Sequence, residues 1–148
     1  MEFEKVNKTF KVVGMKNSGA FNNFGNEVPA FAQKLLNRSD EIQHHTGTEI
    51  ALFEPKSDMN HLEGHYFVGL IVQDSIAEVP SGMEYIETTK DYVATRGKVT
   101  RVDELHQHLL QWAGEQGYKR DLESYIVETY HPIEGEDEEV MIYLPIHS

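Results

Sequence analysis

Residues 124–134 read "SYIVETYHPIE" and residues 49–57 read "EIALFEPKS". Each is an apolar run ending before a proline, and Pro55 and Pro132 lie 77 positions apart. After each comes a second apolar run, "HYFVGLIV" at 65–72 and "EVMIYLPI" at 139–146. Before each comes a strand-like stretch and then a helix-like one. These are "FKVVGMKNSG" followed by about 26–40, and "DYVATRGKV" followed by about 101–116. A chain that repeats strand, helix, strand, strand is read as two copies of one supersecondary unit. The expected fold class is therefore α+β: duplicated β-α-β-β modules related by a pseudo-two-fold axis, with antiparallel sheets. The modules span about 8–76 and 83–147 of one domain covering 1–148.

The helices have local signals. Thr100 with Asp103 has capping-box spacing, and Leu105, Leu109, Trp112 and Ala113 recur on one face before Gly117. In the first copy Asn26 is the expected cap, and Phe31, Leu35 and Leu36 form a narrower apolar stripe. The acidic turn "EGEDEE" at 134–139 reads as a hairpin loop.

Composition removes several classes of function. At 148 residues the chain can bury a core without staples, and it has no cysteine, so thiol nucleophiles and zinc sites built on thiolates are excluded. A net charge of −12 with no Lys/Arg cluster argues against direct nucleic-acid binding. Neither a signal peptide nor a membrane-spanning run is evident, so a cytoplasmic protein without membrane association is expected. Eight histidines raise the question of a metal. "HLEGH" has the wrong order for a zinc-protease helix, and His106 and His108, two apart on a helix, point in different directions. No metal and no cofactor is expected.

One residue does not suit a plain strand. Glu128 sits in the middle of "YIVETYHP", and strand alternation puts it on one face with Ile126 and Tyr130. Aligning the two prolines sets Ala51 against Glu128 and Phe53 against Tyr130, while Tyr143 corresponds to Gly69. The repeat is thus unequal where a charge stands. A carboxylate among rings is costly to bury alone, and a bound organic cation reverses that cost, with cation–π attraction from the rings added. Matching faces by chemistry, Tyr143 joins Glu128 and Tyr130 on one polar, aromatic face that suits a groove, although Glu128 taken by itself also reads as an ordinary exposed strand acid. The aliphatic face of Val140, Ile142 and Leu144 goes under the helices. Phe67, on the Gly69 face, is preferred to Tyr66 for the groove, and Tyr92 could pack beneath either module.

"HYFVGLIV", "VPSGMEYIETTKDYVATRGKV", Trp112, "YIVETYHP" and "EEVMIYLPI", in this order and spacing, resemble a stand-alone GyrI-like domain, the small-molecule-binding module of certain bacterial multidrug-responsive transcription activators. The resemblance implies helices on one side, a ligand groove on the other, and an acid at the floor of an aromatic pocket. Glu128 matches that acid and Tyr143 a pocket tyrosine. The ligand-binding set expected is Glu128, Tyr130, Tyr143, Phe53, Phe67, Gly69 and Trp112, taking lipophilic, often cationic small molecules for sensing or sequestration. Two alternatives are hydrolysis of reactive xenobiotics in the same groove and a gyrase-modulating contact with a protein partner. The activators' DNA-reading region has no counterpart before Phe10.

Overall fold

The computed structural model describes residues 2–55, 60–74, 78–132, 135 and 138–147. The elements are β1 (Phe3–Ala20), α1 (Phe24–Leu36), β2 (His45–Phe53), β3 (Glu63–Val72), β4 (Glu84–Lys98), α2 (Val102–Glu115), β5 (Ile126–His131) and β6 (Glu139–Ile146). Strand, helix, strand, strand occurs twice. The six strands pair antiparallel and close into a barrel in the order β1-β3-β2-β5-β6-β4. Each unit sets its own strands side by side, and the units meet at two seams, β1 with β4 and β2 with β5. Closure leaves neither unit with an open edge.

The β2–β5 seam carries the symmetry. Ala51 lies directly opposite Glu128, the residue that the proline alignment makes its counterpart. A residue that faces its own equivalent marks a local pseudo-two-fold axis. The neighbouring ladders pair Ala51 with Val68 and Glu128 with Ile142, which in turn equates Gly69 with Tyr143.

Side-chain alternation sorts the apolar residues into three clusters. Val28, Ala32 and Leu35 of α1 pack on Tyr66, Val68 and Leu70 of β3. Leu105, Leu109 and Ala113 of α2, at intervals of four, pack on Val93, Ile142 and Leu144. The third cluster fills the barrel, where Phe10, Tyr92 and Tyr143 meet edge-on at 5.1–5.9 Å with Phe67, Leu52 and Val127 around them.

Local chemistry sets the element ends. Gly117 stops α2 with φ of 79°. Its N–H donates to the Gly114 carbonyl and that of Tyr118 to Ala113, the two bonds of a Schellman motif. The expected capping box does not form. A 3-10 turn, Val99–Arg101, precedes α2, and Arg101 instead pairs with Glu104 at 2.8 Å. Helix α1 begins two residues before Asn26 and ends at Leu36, where Arg38 turns the chain by binding Glu41 and the Ser81 carbonyl. Strand β1 starts at Phe3, seven residues before the apolar run, because residues 3–9 pair with β4 as a mostly exposed polar ribbon. Asn7–Asp91 and Thr9–Thr89 side-chain bonds tie that ribbon across the strands. Half of the acidic turn at 134–139, residues 134, 136 and 137, lies outside the described residues. Among those described, no helix is long and apolar enough to cross a membrane.

Entry to β5 is fixed by buried Asp121, which accepts bonds from the Ser124 hydroxyl and the Glu123 N–H and pairs with Lys90 at 3.1 Å. Led by the Ser124 bond, these contacts hold its carboxyl down at about 2. Gly14 and Gly69 are cross-strand partners where β1 and β3 leave no room for a side chain. A Cβ on Gly14 would collide with the Val68 carbonyl and the Gly69 Cα. We expect Gly14→Ala to cost at least the upper part of about 1–3 kcal/mol, because backbone cannot move aside as a side chain does. An unchanged urea midpoint would contradict the close approach.

Candidate functional site: the cleft between the helices

Each helix packs on the strands of its own unit, so the seam between units is left without a roof. The result is a cleft of about 570 Å³, within the usual size of small-molecule sites. Its floor is the helix-side face of the seam: Glu49, Ala51 and Phe53 of β2, and Ile126, Glu128 and Tyr130 of β5. Phe24 and Pro29 of α1 form one wall, and Val102, Asp103 and His106 of α2 the other. Pro29 has no N–H to return to the Gly25 carbonyl one turn back, and both residues line this wall.

Glu128 is 7 % exposed at the centre of the floor. Its Oε1 accepts the Tyr130 hydroxyl at 2.6 Å, and its Oε2 lies 2.6 Å from Nε2 of His106. With the carboxylate ionised, the imidazole N–H donates. Both bonds are short and charge-assisted, which offsets the cost of burial. Burial, then the Glu128 charge, pushes the Tyr130 phenol upward, so it stays a protonated donor. Glu49 is also pushed up, first by burial and then by Glu138. Among the described lining residues there are five carboxylates, Glu49, Glu54, Asp103, Glu128 and Glu138, and no Lys or Arg. The aromatic end is built by Phe53 and Phe24, with ring centroids 6.1 Å apart and planes at 31°, and by Phe21, 5.1 Å from Phe24.

Of the residues expected to bind ligand, the structure brings together Glu128, Tyr130 and Phe53. The other four lie elsewhere. Cross-strand partners share a face, so Glu128 goes with Ile142, and Tyr143 goes with Val127 into the barrel. Tyr143 is 3 % exposed there, with its hydroxyl 3.6 Å from the Met141 sulfur. Phe67 also points into the barrel and is fully buried, while Tyr66 packs under α1 against Phe24 and Phe31. Gly69 serves the β1–β3 approach, where a Cβ would collide with the Val13 carbonyl. Trp112 stacks on Phe3 at 5.5 Å and touches Tyr118, away from the cleft. The cleft opens on the helix side of the sheet, since the opposite face is the filled barrel interior.

His106, Glu49, Phe21 and Phe24 are lining residues that sequence reasoning did not place in the site. For His106 a signal was present: it follows Leu105 by one residue, and stands four after Val102 and three after Asp103, on the flank of the apolar stripe.

No family model and no curated protein matches the sequence. Solved structures do. A structure of SAV2435 bound to tetraphenylphosphonium is similar over 100% of this chain and 95% of its own, with a TM-score of 0.72 and 13% identity. The C-terminal domain of EcmrR is similar over 100% of this chain and 99% of its own, with a TM-score of 0.61 and 11% identity. A hydrolase from Listeria innocua is similar over 99% and 92%, with a TM-score of 0.59 and 13% identity. At such identities the likeness is one of fold, and it agrees with the fold that the GyrI-like resemblance of the sequence implies.

Proposed function

We propose that this chain is a GyrI-like binding domain that takes lipophilic cations into the cleft between α1 and α2, as a cytoplasmic sensor or sequestering protein. The observation that carries the reading is a nearly buried carboxylate, Glu128, at the floor of a cleft with aromatic residues and no Lys or Arg among its described lining. Charge is recognised at Glu128 and flat apolar surface at Phe53 and Phe24, so many ligands fit one site. The tetraphenylphosphonium held by the similar SAV2435 structure is a ligand of this chemistry. In a calorimetric titration, tetraphenylphosphonium is expected to bind at least about tenfold more tightly than uncharged triphenylphosphine oxide. Equal affinities would remove charge from the recognition.

A second reading is hydrolysis, favoured by the Tyr130–Glu128–His106 hydrogen-bond chain, in which the carboxylate could take a proton from water. Mass spectrometry of the ligand after incubation separates the two: intact ligand supports binding, and a water-added product supports catalysis.

A further inference from the structure

We propose that His106 selects the ligand by competing with it: the imidazole is a built-in partner of Glu128 that an incoming cation has to displace. This rests on the cleft being the ligand site. The two bonds to Glu128 differ in origin. Tyr130 stands two residues along the same strand and on the same face, so its bond to Oε1 is set by β5 itself. His106 reaches Oε2 from the wall helix. Its side chain is 24 % exposed against 10 % for Glu128, so a ligand entering the cleft meets the imidazole first.

The charge state of His106 then decides what enters. A neutral imidazole surrenders one hydrogen bond to the ligand. An imidazolium holds Glu128 in an ion pair and repels a cation, so protonating His106 weakens cation binding and leaves a neutral ligand unaffected. Other titratable groups line the same cleft: Asp103 on α2, Glu49 on β2 and Glu54 just beyond its end, Tyr130 on β5, and Glu138 ahead of β6. None of the described lining residues of α1 is charged. Protonating a carboxylate also weakens cation binding, and Glu49 titrates above the ordinary carboxylate range. The His106 variants are what separate the two sources.

Calorimetric titrations of the full chain with tetraphenylphosphonium and triphenylphosphine oxide, at pH values from about 5.5 to 8, test this with wild type, His106→Leu and His106→Gln. Wild type is expected to bind the cation about tenfold more tightly at the upper pH, and the oxide equally throughout. His106→Leu should bind the cation at low pH at least as tightly as wild type does at high pH, with a flat profile. His106→Gln, which keeps a neutral donor, should be flat at the wild-type high-pH affinity, so the test survives if the leucine protein does not fold. A wild-type pH profile retained in the foldable variants, or weaker cation binding at every pH, overturns the proposal and makes His106 a support for Glu128. Failure of wild type to bind the cation at all overturns the cleft reading together with this one. Binding that Glu128→Gln abolishes and the His106 variants leave unaltered overturns only the competition.

Discussion

Glu128→Gln is expected to weaken binding of tetraphenylphosphonium by about ten- to a hundredfold, while triphenylphosphine oxide binds as before. The substitution keeps the shape, and the new amide carbonyl still accepts the Tyr130 hydroxyl, so the packing of the floor is preserved. What is lost is the negative charge. Two unit charges about 6–10 Å apart at an effective dielectric of about 20 attract by about 1.7–2.8 kcal/mol, and each 1.4 kcal/mol is about tenfold in affinity. The other four carboxylates of the cleft sustain a background attraction, so some preference for the cation persists in the variant. Calorimetry on both proteins with both ligands reads the effect. Equal losses for the charged and neutral ligands would point to altered shape, and no loss would leave Glu128 a structural acid.

The largest effect on stability is expected inside the barrel. Phe67→Ala and Tyr143→Ala should each cost about 3–5 kcal/mol, since both side chains are nearly or fully buried among rings and aliphatic groups that cannot close the gap. Tyr143→Phe retains the ring contacts with Phe10 and Tyr92 and should leave cation affinity unchanged. Urea unfolding measures the first pair, and titration of the phenylalanine protein measures the second. A Tyr143→Phe protein that folds normally and loses cation binding would put the ligand in the barrel, and the cleft assignment would fail.

The repeat was readable because it rests on spacing. Two prolines, two apolar runs after them and two helical stripes before them suffice for the element order, and the equivalence of Ala51 with Glu128 survives as a direct cross-strand pair. Faces were harder to assign. Alternation says which residues of one strand share a side, but only register says which side of the neighbouring strand goes with it. Grouping Glu128 with Tyr143 because both are polar inverts β5: the aliphatic face of β6 does lie under α2, and the Glu128–Ile142 ladder puts the acid on that same helix side. The same inversion separates Phe67 and Gly69 from the cleft that holds Glu128. Sequence spacing sets His106 only against His108, and its reach to Glu128 depends on how far α2 stands from the seam, a tertiary distance that no local pattern encodes.

The proposed function puts a lipophilic cation between α1 and α2 against Glu128. A crystal structure of the protein soaked with tetraphenylphosphonium tests it most directly. The phosphonium is expected over the Ala51–Glu128 pair, its phenyl groups against Phe53 and Phe24, and His106 turned away from the carboxylate. A cation bound elsewhere, with Glu128 still held by both His106 and Tyr130, would contradict it.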